Sequence, residues 1–286
     1  MKAVVTLSPG ESKRLIAIAI AQSEVVKRAK KEGIIGLARC TSCGFVAEEL
    51  LGRPLKSLGA YCSGFVVARG ACAMQNEYQE KLLVLNKGEE TWLDYTEGNV
   101  SKYIDRMDCN DVIVKSGSVM DPAGDVGCLV AAPDAGEIGA YLPHILARGI
   151  TFIVPMTLNK TVAFPLSRIM SSLGISNLDE ERCQGLLCGM MPMPGTVVTE
   201  IDAIRQLTGA EALPIAVNGI GSGAGAVVLL IEGSKNQVDE AWEITQAIKK
   251  KGEPSLQDPP SPCDDCYLLK NPDLGARCST MRNLEK

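Results

Sequence analysis

Three apolar runs, IIGLAR at 34–39, DVIVKS at 111–116 and ITFIVP at 150–155, carry no polar alternation. A strand that is hydrophobic on both faces must be covered on both faces, the condition of a parallel sheet flanked by helices. Helical segments separate the runs, so the chain is expected to be α/β, with a mostly parallel sheet and helices on both sides. Its first helix is announced by Ser8-Pro9-Gly10-Glu11, a cap serine, a proline at the first helical position and a glutamate three residues past the cap. That helix should run to about residue 32, where Gly33 can take the left-handed conformation that closes it. Further strands are expected at 60–68, 81–86 and 128–132, with helices after Gly44, around 97–107 and over 135–148.

From about residue 183 the order changes to β-α-β-β-α, most of a split βαβ (ferredoxin-like) unit. Residues 1–180 are therefore read as the α/β domain, 181–252 as a smaller α+β unit, and the proline-rich 253–286 as an extended tail. The stretch from Asn218 to Gly225 has a G-x-G spacing, but a β-rich run follows it where a dinucleotide fingerprint needs a helix. It reads as a hairpin connection.

The chain has 286 residues, enough for one large domain or two smaller ones. Its 29 basic and 34 acidic residues leave a net charge of −5, with no long basic run, which argues against a nucleic-acid partner. The first residues lack the apolar core of a secretory signal, and no apolar stretch is long enough to span a bilayer. A cytoplasmic protein with no membrane partner is expected. Eleven cysteines form an odd set in a chain too large to need stapling, so reduced thiols are expected, with Cys62, Cys72, Cys109, Cys128, Cys183 and Cys188 buried as small hydrophobes. His144 is the single histidine, which argues against Ser/His/Asp hydrolysis and multi-histidine metal sites.

Open parallel sheets gather ligands at the carboxyl ends of their strands. Two segments stand there. Thr41-Ser42-Cys43-Gly44 is a small-residue loop between a strand and a helix, where backbone amides and hydroxyls can donate to phosphate or carboxylate oxygens. Lys115-Ser116-Gly117-Ser118 ends another strand; Lys115 could neutralise an anion there and Asp121 could act as base. Asp134 and Glu137 stand three residues apart at the head of helix 135–148, the spacing of a capping box. Finishing that helix is their expected role, with general-acid work by Glu137 the minority reading.

Gly124-Asp125-Val126, Ile138-Gly139-Ala140-Tyr141, Gly149-Ile150 and Phe152-Ile153-Val154 are similar in order to a turn, helix and strand of methylthioribose-1-phosphate isomerase. Residues 34–156 thus resemble the superfamily that also holds ribose-5-phosphate isomerase and the CoA transferases. The resemblance implies an α/β sheet that presents a small phosphorylated or carboxylated metabolite to isomerase- or transferase-like chemistry. Two substitutions depart from it: Ser118 stands where that isomerase has its catalytic aspartate, and Glu137 where it has a phosphate-contacting lysine.

The rival reading uses sulfur. Cys40 and Cys43, Cys263 and Cys266 form two CxxC pairs, and with Cys278 they could hold zinc or an iron–sulfur cluster if the tail folds back. A third reading is a non-catalytic ligand-binding or assembly protein, which would carry a self-associating apolar face on the 183–250 segment and form a homo-oligomer.

Overall fold

Each of the three apolar runs becomes a strand of one six-stranded sheet. The computed structural model describes residues 1–74, 80–94, 97–252 and 277–278. In chain order these form β1 (Lys2–Leu7), α1 (Pro9–Gln22), α2 (Glu24–Glu32), β2 (Ile34–Leu37) and α3 (Thr41–Leu51). Two hairpins follow, β3 (Gly64–Val67) with β4 (Gly70–Ala73) and β5 (Leu82–Asn86) with β6 (Glu89–Leu93), and then α4 (Glu97–Ile104). The middle of the chain gives β7 (Val112–Val114), β8 (Val119–Met120), β9 (Val126–Val130), α5 (Gly136–Arg148), β10 (Thr151–Pro155) and α6 (Leu166–Ser172). Last come β11 (Gly189–Pro192), β12 (Thr196–Val198), α7 (Glu200–Thr208), β13 (Glu211–Asn218), β14 (Ala226–Glu232) and α8 (Lys235–Lys250). Among the described residues no helix is long and apolar enough to cross a membrane.

The principal sheet has the order β12-β10-β7-β2-β5-β6 and is mixed. Its first four strands are parallel, while β2–β5 and β5–β6 are antiparallel. Part of the departure from a mostly parallel expectation lies at Lys87-Gly88, where both residues take positive φ (50° and 84°). That is the two-residue turn that closes a hairpin, so β6 folds straight back along β5. Both faces of the sheet are covered. Ile35, Leu37, Val112, Val114 and Ile153 pack on one side with α1, α2 and α3, and Ile34, Ile113, Phe152 and Val154 on the other with α4 and α5.

The β-α-β-β-α order of 181–252 does not make a ferredoxin-like sheet. Its strands are divided among three sheets: β11 pairs with β9, β12 extends the principal sheet along β10, and β13–β14 form a hairpin against β1. The cause is the first strand of the chain, which pairs antiparallel with β14 from Lys2↔Glu232 to Leu7↔Val227 and so takes the neighbour position a split βαβ unit would fill from within. The glycine-rich stretch does join β13 to β14 as a hairpin connection.

Other local expectations are corrected too. The first helix breaks at Ser23, whose extended backbone (φ −66°, ψ 143°) ends α1 and caps α2. Gly33 is extended (φ −125°) rather than left-handed. A glycine is needed there for space: a Cβ would come within 2.6 Å of Asp111 Oδ1, which accepts the Ile34 amide. Cys62, Cys128 and Cys188 are buried as expected, whereas Cys72 and Cys183 are half-buried and Cys109 is exposed. The tail from 253, apart from 277–278, lies outside the described residues.

Tyr61 fastens the junction where the sheet changes direction. Fully buried, its hydroxyl donates to Leu37 O (2.8 Å) and accepts from Leu83 N (3.1 Å), and Leu37 and Leu83 are the end pair of the β2–β5 register. Tyr61→Phe leaves a buried carbonyl and amide unpaired, each costing about 1–3 kcal/mol. The variant should lose about 2–6 kcal/mol for the two groups together without change of fold, read from chemical denaturation with an unaltered m-value.

Candidate functional site

The carboxyl ends of the four parallel strands share one edge of the sheet, and charged side chains converge there. Arg39 and Cys40 follow β2, Lys115 to Gly117 follow β7, Met156 to Lys160 follow β10, and Glu200 opens α7 after β12. Lys13 reaches the same place from α1, within electrostatic range of Lys160 and Cys40.

Glu137 is the hub. The expected capping box is absent: the residue before α5 is Ala135 in a left-handed conformation (φ 64°), and no side chain caps the helix. Asp134 accepts only the local Gly136 amide (2.8 Å). Glu137, the second residue of α5, points into the protein, where Oε1 accepts Arg39 Nε (2.7 Å) and Oε2 accepts Lys115 Nζ (3.1 Å) and the Arg39 amide (3.2 Å). All three side chains are buried. Burial alone would raise the Glu137 carboxyl, but Lys115 and Arg39 hold it below the usual carboxylate range. Burial would likewise lower Lys115, and Glu137 raises it above its ordinary value. The carboxylate is thus fixed as an anion, which removes it as a general acid at neutral pH.

The cations outnumber the anions. Lys160 Nζ donates to the neutral Ser116 Oγ (3.0 Å) and Gly117 O (2.9 Å), and its charge is offset only through space, by Cys40 and Glu200 among others. Burial pushes the Lys160 ammonium down. Lys13 is brought down to about 8, by burial first and the Lys160 charge second. Among the described residues Lys13 has no hydrogen-bond or ion-pair partner. Glu200 is completely buried, accepts the Leu158 amide (3.0 Å) and is raised by burial, with Lys160 working against that rise.

Sulfur completes the cluster. Cys40 is the cap residue of α3: its Sγ accepts the Cys43 amide (3.3 Å) and lies 2.8 Å from Cys43 Sγ. Burial disfavours the Cys40 thiolate, yet the Cys43 thiol, the Lys115 charge and the Ser116 and Cys43 amides bring it down to about 6. Cys43, wholly buried and 3.3 Å from Val114 O, is pushed well above its ordinary value by burial and by the Cys40 thiolate.

Several expected site residues do other work. Thr41, Ser42, Cys43 and Gly44 form the first turn of α3 rather than a loop, and Ser42 is buried with no partner for its hydroxyl among the described residues. Gly117 sits at the edge because a Cβ would come within 2.2 Å of Val126, so β9 can approach only a glycine. Ser118 is turned toward β9, accepting Leu129 N (3.0 Å). Asp121 accepts three backbone amides, from Leu166, Ala123 and Asp125, which hold it below the usual range and leave it no basic role. Cys278 packs with Leu186 and Cys188 in a separate small cluster, apart from the core that holds Cys43. Cys263 and Cys266 lie outside the described residues. Among the described residues no three Cys, His, Asp or Glu side chains are grouped to hold a metal ion.

Four participants, Arg39, Lys160, Lys13 and Glu200, had no part in the sequence expectations. Arg39 and Lys160 were within reach of the strand-end rule, since each closely follows a buried parallel strand. Lys13 carries no such signal, because α1 comes to this edge only through tertiary packing. Comparison with family models, curated proteins and solved structures finds no match to the chain.

The triad has a measurable pH signature. Replacing Glu137 by Gln leaves Arg39 and Lys115 buried without their anion, a loss of about 3–5 kcal/mol at neutral pH. Because the folded carboxyl lies below its unfolded value of about 4.3, the native stabilisation is complete above that pH and disappears as pH falls through the folded value. The gap between wild type and Glu137→Gln, measured by denaturant titration from neutral to acid pH, should therefore narrow as the solution is acidified.

Proposed function

We propose that the chain binds a small phosphorylated or carboxylated metabolite at the carboxyl edge of its parallel strands, with Lys13 and Lys160 as the charged contacts. The observation that supports this is Lys13, a half-buried ammonium without a partner among the described residues that is pressed toward a second poorly compensated lysine. Like charges in a poorly solvated site raise the free energy of the free protein, and an anion between them removes that cost. Arg39 and Lys115, neutralised by Glu137, fix the walls of the site rather than meet the ligand. Isomerase- or transferase-like chemistry belongs to this proposal on the strength of the superfamily resemblance alone. The acid/base candidates Glu137 and Asp121 are both saturated by donors, so binding is better supported than proton transfer.

Calorimetric titration with inorganic phosphate, pyrophosphate and citrate tests the reading. Lys13→Met should weaken binding at least tenfold, about 1.4 kcal/mol, and Lys160→Met similarly. Affinity of the wild type should fall as pH rises through about 8, where Lys13 loses its proton. Undiminished binding by Lys13→Met would overturn the assignment.

Self-association rests on a separate observation. The outer face of the β1-β14-β13 sheet carries Val4, Leu230 and Leu213 in register across its three strands, and Val4 and Leu213 are each about half exposed. Isolated exposed apolar residues are ordinary, but a contiguous patch on an edge strand is a pairing surface. We infer that a second copy covers it. Light scattering should give a two-chain mass for the wild type and a one-chain mass for Val4→Lys/Leu213→Lys; a one-chain wild type sinks the reading.

A further inference from the structure

The sulfur geometry points to a second chemistry at this edge: Cys40 and Cys43 form a redox dithiol, in which Cys40 attacks a small disulfide and Cys43 resolves the product. Cys40 caps the helix whose first turn holds Cys43, and their sulfurs lie 2.8 Å apart, inside contact distance and longer than the about 2.05 Å covalent length. A bond between them therefore needs only a small side-chain movement. The two are unequal in the way such a pair requires. Cys40 is partly exposed and holds its negative charge against Lys115, the Cys43 amide and the Ser116 amide, whereas Cys43 is completely buried and protonated. The thiolate is the nucleophile in thiol–disulfide exchange, and a thiolate beside a lysine at a helix N-terminus is the reactive member of a CxxC pair. Among the described residues no third ligand residue stands beside them.

The exchange runs in two steps. Cys40 thiolate attacks one sulfur of an external disulfide; the Cys40–sulfur bond forms, the external S–S bond breaks, and one thiolate leaves to take a proton from water. Cys43 sulfur then attacks Cys40 Sγ, the protein disulfide forms, and the second external thiolate departs with the Cys43 proton. The external disulfide gains two electrons and becomes two thiols, and the protein dithiol is oxidised. A dithiol reductant such as dithiothreitol reverses it. Lys13 and Lys160 lie within electrostatic range of Cys40 but form and break no bond in either step, so the exchange needs no anion bound between them.

Glutathione disulfide, added to reduced and chelator-treated full-length protein without other anions, provides the test. Peptide mass analysis of the wild type should show one disulfide joining Cys40 to Cys43. In Cys43→Ser the reaction should stop at one glutathione on Cys40, and in Cys40→Ser the residue 43 thiol should stay unmodified. The rate of Cys40 alkylation by iodoacetamide, followed in the folded wild type, should already be near its plateau at neutral pH. Modification confined to Cys109, or a Cys40 that alkylates no faster than Cys109 at neutral pH, would overturn the proposal, and so would a Cys43→Ser protein that gains no glutathione.

Discussion

A single buried carboxylate holds the working edge of this molecule together. Glu137 comes from α5 and accepts from the ends of two parallel strands, through Arg39 after β2 and Lys115 after β7. The arrangement works because each charge removed from water meets an opposite one with its hydrogen bonds made. Without that compensation, burial of any of the three would cost several kcal/mol. It also sets the electrostatics of the neighbours. Lys115 is kept charged by Glu137 and in turn stabilises the Cys40 thiolate.

The proposed anion site and the proposed dithiol share one place for one physical reason. Parallel strands end together, helices begin where they end, and both strand ends and helix starts present backbone donors toward the same volume. Cys40 uses such donors, the Cys43 and Ser116 amides, to lie low on its titration curve. Lys160 bridges Ser116 and Gly117 from the next strand end, and Lys13 joins from α1. The positive character that would receive an anionic metabolite is thus continuous with the one that makes the thiolate.

Much of this architecture was legible in local pattern. The cap at Ser8 forms as its residues require, with Glu11 reaching back to the Ser8 amide, and 218–225 closes a hairpin because a β-rich run follows it. Where local reasoning failed, tertiary terms outweighed it. The spacing of Asp134 and Glu137 satisfies a capping pattern worth a kcal/mol or so, but the two buried cations offered Glu137 more, and the helix began without a side-chain cap. Gly33 looked like a helix terminator and is instead the gap that Asp111 fills. The Lys87-Gly88 turn was present in the chain, and missing it hid the antiparallel edge of the principal sheet.

The amino-acid sequence by itself determined which segments are strands buried on two faces, where several helices start, and that Cys40, Cys43, Lys115 and Gly117 belong to strand ends. These follow from periodicity and capping, which act over a few residues. Only the tertiary structure decided that Lys13 and Lys160 meet, that Glu137 turns inward, and that β1 joins β14 from the far end of the chain. Those outcomes depend on charge and strand pairing between segments up to about 230 positions apart, and no local pattern encodes the distance between groups that approach one another only after the core has closed.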